Sequence, residues 1–313
     1  MMRGIFQGGV PVRIGINGSG LLGRSPIGAI VEHARQAAQD GFASYWIAQG
    51  GPVDALTLIA LAAQRAPGIE LGTAVVPTYP RHPSALACQA MTTQAATGGR
   101  LSLGIGLAHK PLIEGAYGMS FDKPIRHMRE YLSILVPLIE QGTVSFAGET
   151  LTGRGELSIP EADPCPVLVA ALGPQMLRLA GSRTAGTILW VVGPRTIGEH
   201  IVPRISEAAE KAGRGAPRVV AGLPICVTDD PERTRERMGR AFAIYAQLPS
   251  YRAMLDREGV ESASDVGVVG GEAEVRNHLA SIADAGATDF AALEFCKTDD
   301  ERRRTRELLR SLL

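Results

Sequence analysis

Ile69-Glu70-Leu71-Gly72-Thr73-Ala74-Val75-Val76 is a nearly uninterrupted apolar run, closed by Pro77-Thr78-Tyr79-Pro80. A helical pattern follows over Pro83–Ala96, and then a second run, Arg100-Leu101-Ser102-Leu103-Gly104-Ile105-Gly106-Leu107. Neither run alternates polar with apolar residues. Each therefore predicts a strand buried on both faces, the condition of strands in a parallel sheet. A helix between two such strands makes one β–α–β unit.

The same unit repeats outward in both directions. Further apolar runs lie at Val12–Asn17, Ala43–Ala48, Pro166–Ala171, Thr187–Val192, Arg218–Cys226 and Asp289–Phe295. Between them, Ile27, Ile30, Val31, Ala34, Ala37 and Ala38 share one helical face, with Glu32, His33, Arg35, Gln36 and Asp40 on the other. Ile125, Met128, Leu132, Leu135, Val136 and Ile139 repeat that spacing. Helices are also predicted over Asp54–Arg65, Pro174–Ser182, Ile197–Ala212, Pro231–Gln247, Glu272–Ala285 and Asp299–Leu313. The last has its acids first and its arginines after, matching the helix dipole. Eight strands alternating with helices predict an α/β chain folded as one (β/α)8 TIM barrel over residues 1–313. Insertions fall at about 143–163, read as a small hairpin or lid, and 249–271. A doubly wound open sheet is the other reading of the same alternation.

Composition narrows the function. Lys and Arg total 32 against 32 Asp and Glu, so no basic surplus is available to neutralise a nucleic-acid backbone. No apolar run reaches the roughly 18–20 residues that a membrane span requires. Met1–Gly9 lacks the sustained apolar stretch of a signal peptide, so a cytoplasmic protein is expected. Cys88, Cys165, Cys226 and Cys296 are scattered, with no metal-binding spacing, and read as reduced thiols. Gly18-Ser19-Gly20-Leu21-Leu22-Gly23 follows the first strand and matches the Gly-x-Gly-x-x-Gly dinucleotide pattern. The second strand ends in Trp46-Ile47-Ala48-Gln49-Gly50-Gly51, without the acidic residue that holds a nicotinamide cofactor's ribose. A nicotinamide dehydrogenase is thus a minor reading, and a first barrel loop is the main one.

Gly72–Pro83, together with Gln94-Ala95-Ala96-Thr97-Gly98-Gly99-Arg100 and the strand to Gly106, resembles the third and fourth strands of the luciferase-like family, specifically its coenzyme F420-dependent oxidoreductases. Ala170-Ala171-Leu172-Gly173-Pro174-Gln175 and Gly286-Ala287-Thr288-Asp289-Phe290 extend the likeness over nearly the whole chain. The family fold is a (β/α)8 barrel. By position, the resemblance implies a non-prolyl cis peptide at Ala74–Val75, forming a bulge behind the bent deazaflavin ring. It implies that Gly106, Leu107 and Ala108 bring backbone amides to the ring's polar edge. His109 stands where some relatives have a glutamate; it is expected either to donate a proton or only to bind the ring or a phosphate. His82 is expected to reach the ribityl chain or to cap the helix at Pro83. Gly173, Pro174 and Gln175 are expected to hold the phosphodiester at a helix start. Asn17 and Gln49, at strand ends, should point into the mouth, while His33, His127, His200 and His278 read as ordinary packing or surface residues.

The implied activity is hydride transfer between coenzyme F420 and a small organic substrate by a possible homodimer, without nucleic-acid, membrane or metal partners. The alternatives are a reduced-FMN-dependent monooxygenase and a non-catalytic flavin- or deazaflavin-binding protein.

Overall fold

The computed structural model describes residues 12–50 and 53–313; the signal-peptide reading of residues 1–9 lies outside them. The strands are β1 (Arg13–Asn17), β2 (Ser44–Ile47), β3 (Glu70–Thr73), β4 (Val76–Pro77), β5 (Leu101–Gly106), β6 (Thr143–Ala147), β7 (Thr152–Glu156), β8 (Val167–Val169), β9 (Gly186–Trp190), β10 (Arg218–Val227), β11 (Val268–Gly270) and β12 (Asp289–Glu294). Eight of them form a closed parallel barrel in the order β1, β2, β3, β5, β8, β9, β10, β12 and back to β1. These eight are the eight apolar runs of the sequence. Closure comes from the β1–β12 ladder, with Ile14 opposite Phe290 and Ile16 opposite Ala292. A closed cylinder has no topological switch point, which removes the doubly wound reading.

Four strands are additional. β4 continues β3 beyond a two-residue break and pairs with β5, and β11 lies outside the barrel against β10. β6 and β7 form an antiparallel hairpin inside the insertion at about 143–163. Its tip is held by the buried Glu130 carboxylate, which accepts from the amides of Glu149 (2.9 Å), Thr150 (3.0 Å) and Leu151 (2.9 Å) and from the Thr150 hydroxyl (2.7 Å).

Helix boundaries depart from the sequence reading where proline intervenes. The predicted helix Ile197–Ala212 opens with a π turn, Ile197–Ile201, before Val202–Lys211. Pro203 lacks the N–H that would bond Glu199, so the first turn widens. The 249–271 insertion contains the helix Pro249–Glu258, started by Pro249 and stopped by Gly259 in the left-handed region, φ +82°. No helix among the described residues is long and apolar enough to cross a membrane.

The barrel interior is filled in layers, which decides where a ligand can sit. At the amino-terminal end Arg218 donates to Asp289 (2.7 Å) and Glu70 (2.9 Å), while Arg13 and Ser102 also donate to Glu70, each at 2.7 Å. The Asp289 side chain is only 1% exposed. Above this plug lie Trp46, Leu168, Ile188, Val220 and Ala291, one from each of five strands. Burying each of the larger of these contributes about 1.5–3 kcal/mol. With both layers packed, free space remains at the carboxyl ends of the strands, where barrel enzymes place their chemistry.

Candidate functional site

That space is a cavity of about 1140 Å³, lined mainly by apolar side chains and backbone. One wall comes from β3 and β5. The Thr73 hydroxyl donates to the Gly104 carbonyl (2.7 Å) and accepts from the Gly104 amide (2.8 Å), locking the two strands together. Beyond Thr73 the chain breaks from the ladder, and the Ala74–Val75 peptide bond is cis, as the resemblance implies. The Ala74 amide donates to Ile47 (2.8 Å) and the Val75 carbonyl accepts from Gln49 (3.2 Å). The bulge lies directly on β5 because two residues there lack side chains. A Cβ on Gly104 would stand 2.0 Å from the Thr73 carbonyl oxygen, and one on Gly106 would stand 2.8 Å from the Val75 side chain. The alternating glycines of Leu103-Gly104-Ile105-Gly106 are thus a packing requirement of the wall.

Leu107, Ala108 and His109 carry that wall over the rim, with Ala108 in the left-handed region at φ +58°. His109 is half-buried, its ring edge-on to Tyr251 (5.7 Å) and Tyr245 (6.2 Å). Burial holds its imidazole below the usual 6.5, so it is neutral at pH 7. Opposite the bulge stand Trp190 from the end of β9, then Phe242, Tyr245 and Tyr251 from the segment after β10. Tyr245 and Tyr251 pack at 4.7 Å, and Trp190 meets Phe242 edge-on at 5.7 Å. The Trp190 Nε1–H is buried without a partner among the described residues.

Gly173, Pro174 and Gln175 open the helix Pro174–Arg183 at the cavity edge. Gly173 supplies no side-chain cap, so the amides of Gln175 and Met176 keep their hydrogen-bonding capacity. The nine residues Ala74, Val75, Gly106, Leu107, Ala108, His109, Gly173, Pro174 and Gln175 therefore share one cavity, as does Asn17.

Two expected contacts lie elsewhere. The Gln49 side chain donates to Val53 (3.0 Å) and accepts from the Ala55 amide (2.8 Å), so it shapes a loop and does not line the cavity. His82 is exposed. Its Nδ1 accepts from the Ser84 amide (3.3 Å), capping the helix Pro83–Ala96, and Nε2–H donates to Thr152 in the hairpin (3.0 Å). Of its two expected roles, capping is the one the structure displays. Tyr79 likewise stacks on His127 with ring centroids 3.9 Å apart, outside the cavity.

Other lining residues escaped the sequence reading. The aromatic roof comes from segments with no distinguishing motif, and His33, read as packing, lines the cavity beside Glu294. His33 Nε2 lies 2.9 Å from Arg306 and 3.2 Å from Glu294, and Nδ1 lies 2.9 Å from the Tyr45 hydroxyl. The Gly18–Leu21 segment is a short 3-10 turn at the rim, and the next α-helix begins only at Ile27, so no helix start faces a pyrophosphate there.

The sequence and the fold were compared with known proteins. The chain is 26% identical over 289 residues to 5,10-methylenetetrahydromethanopterin reductase of Methanolobus tindarius, covering 91% of this chain and 87% of that one. It is 29% identical over 273 residues to a Mycobacterium tuberculosis protein provisionally named a coenzyme F420-dependent oxidoreductase, covering 82% and 77%. Among solved structures, the coenzyme F420-dependent tetrahydromethanopterin reductase of Methanopyrus kandleri superposes with a TM-score of 0.80 at 21% identity, covering 97% of this chain and 99% of that one. The oxygenating component of 3,6-diketocamphane monooxygenase of Pseudomonas putida, in complex with FMN, gives 0.75 at 17% identity, with 96% of each chain covered. The family model for luciferase-like monooxygenases matches residues 9–296, and the chain belongs to that family of barrel enzymes.

Proposed function

We propose that the protein is a coenzyme F420-dependent oxidoreductase that transfers a hydride between the deazaflavin and a small organic substrate. The carrying observation is the character of the cavity's phosphate end. The start of the Pro174 helix offers the unbonded amides of Gln175 and Met176 and a helix dipole, yet among the described residues no Lys or Arg lines the cavity there. A phosphodiester bears one negative charge and suits such a site. The phosphomonoester of FMN approaches two charges and calls for an arginine or lysine. The Mycobacterium tuberculosis relative provisionally named for F420 points the same way.

The remaining residues fit a flat tricyclic ring. Ala74 and Val75 support one face, the backbone of Gly106–Ala108 borders an edge, and the aromatic roof covers the space from which substrate approaches. Bound F420 supplies two-electron hydride chemistry at its C5 carbon. In this reading His109, which lines the cavity and is held neutral at pH 7 by burial, takes the proton of a substrate hydroxyl and returns it in the reverse direction. Trp190, Phe242, Tyr245 and Tyr251 exclude water from the site.

The test is titration of the purified protein with F420 and with FMN, read by quenching of tryptophan emission. Trp190, at the cavity wall, is one of only two tryptophans. Saturable F420 binding with a response to FMN at least tenfold weaker supports the proposal. FMN binding without F420 binding, accompanied by oxygen uptake once the flavin is reduced, overturns it in favour of a monooxygenase.

A further inference from the structure

We propose that the cavity has a second, anion-binding lobe, across the mouth from Gly173, that takes the carboxylate or phosphate of the substrate. This rests on the proposed function, which assigns the cofactor's phosphodiester to the start of the Pro174 helix. Lys, Arg, Asp and Glu side chains lining the cavity are Arg24, Arg237, Glu294, Lys297 and Arg302. Arg24 follows β1, Arg237 follows β10, and the other three lie at the end of β12 or just beyond it. In the closed strand order, β1 and β12 stand across the barrel from β8 and β5. The charge is therefore gathered on the side opposite the site assigned to the cofactor's phosphate.

Two of the cations converge on the turn after β12. Arg237 donates to the Phe295 carbonyl (2.9 Å) and Arg302 to the Cys296 carbonyl (3.3 Å), so both guanidinium groups are anchored on consecutive residues of the turn that carries Lys297. The neighbouring acids are already occupied. Glu294 receives Arg306 through both carboxylate oxygens (2.8 and 2.5 Å), and Asp299 pairs with Arg302 (2.6 Å). Glu301 accepts from the amides of Lys297 (2.7 Å) and Thr298 (3.0 Å) and from the Thr228 hydroxyl (2.9 Å). Arg24, Arg237 and Lys297 have no ion-pair partner among the described residues, and residues 1–11 and 51–52 contain no Asp or Glu. A chain with zero formal net charge thus turns an uncompensated cationic surface into the one cavity wall far from the cofactor's phosphate. Its volume of about 1140 Å³ exceeds the roughly 300–1,000 Å³ of ordinary ligand sites, enough for a cofactor head and a second ligand.

The experiment is calorimetric titration of inorganic phosphate, and separately of acetate, into the F420-loaded protein and its Arg24→Gln/Lys297→Gln variant. Both replaced side chains are exposed, so the variant should melt within about 2 °C of the parent. The expected result is anion binding to the loaded parent, at least tenfold weaker in the variant, with F420 affinity changed less than threefold. A phosphate response that exceeds the acetate response identifies a phosphoryl handle, and the converse a carboxylate. The lobe is refuted if neither anion binds the loaded parent, or if both bind parent and variant equally. It is also refuted if F420 affinity falls along with anion affinity, since the cations then hold the cofactor's tail. If F420 does not bind at all, the function proposed above fails. Variant-sensitive anion binding to the free protein then still upholds the lobe, and insensitive binding removes it.

Discussion

Gly104→Ala tests the wall beneath the proposed ring site. The new methyl would stand 2.0 Å from the Thr73 carbonyl oxygen and 3.2 Å from a Val75 methyl, with backbone as the nearer obstacle. Relief requires β3 and β5 to separate by about 1 Å, a strain of the size that overpacked cores show, about 1–3 kcal/mol. Separation also stretches both Thr73–Gly104 hydrogen bonds, of 2.7 and 2.8 Å, each worth about 1 kcal/mol. The total is about 3–5 kcal/mol. At an unfolding entropy of about 2.1 cal/mol/K per residue, a 313-residue chain loses about 5–8 °C in melting temperature. The shifted bulge should also weaken F420 binding by tenfold or more. Gly28→Ala serves as the control, because its added methyl meets nothing within 4 Å inside the helix Ile27–Gln39. It should raise stability by about 0.5–1 kcal/mol. Calorimetry and cofactor titration read both variants. A Gly104→Ala protein that melts within 1 °C of the parent and binds F420 equally well would refute the packing argument.

Four further outcomes are expected. The His109 ring protons, followed by NMR, should titrate with a midpoint below 6.5, neutral above it and cationic below; a midpoint above 7 would remove the residue as a base at neutral pH. Arg218→Met leaves the buried Asp289 with Arg13, at 3.2 Å, as its one ion-pair partner among the described residues, beside the Thr288 hydroxyl at 2.7 Å, and should cost about 3–5 kcal/mol in urea unfolding. A loss under 1 kcal/mol would show that Arg13 and Thr288 suffice. Glu130→Gln should cost about 2–4 kcal/mol at pH 7 through lost charge-assisted bonds to the hairpin tip. Hydrogen bonds from Thr150, Glu149 and Leu151 outweigh burial and hold the Glu130 carboxyl at about 2, so its contribution is complete above 4.5 and fades as pH falls toward 2; a pH-independent gap between parent and variant would contradict this. His82→Ala should cost about 1 kcal/mol as a lost helix cap and leave F420 affinity unchanged, and weaker cofactor binding would return His82 to the site.

The barrel was readable because all eight strands are short runs buried on both faces, a pattern that survives without tertiary information. The bulge at Ala74–Val75 was legible for a different reason: the stretches Gly72–Pro83 and Arg100–Gly106 each carry the family resemblance that implies it. The roof was not. Trp190, Tyr245 and Tyr251 come from two separate crossovers, and each alone is an ordinary apolar residue at a strand end or in a helix. The place of His33 at the cavity was not legible, because its partner Glu294 lies 261 positions away and only closure of β1 on β12 brings them together. Gln49 and His82 show the opposite case. Amide and imidazole groups at strand and helix ends suit a ligand, but they equally satisfy the orphan backbone groups found there, and local bonds claimed both side chains. The proline-started helix Pro249–Glu258 was legible in principle, since Pro249 and Gly259 mark its two ends.

The hairpin β6–β7 is lashed down twice, by Glu130 at its tip and by His82 on β7, and none of its residues reaches the cavity. It is therefore a strut, and exchanging its outward residues should leave ligand choice untouched. Discrimination between substrates is expected instead from the chain between Phe242 and Tyr251, acting with the proposed cationic lobe. That is where divergence between otherwise similar paralogues should concentrate, and where library mutagenesis aimed at new substrates ought to begin.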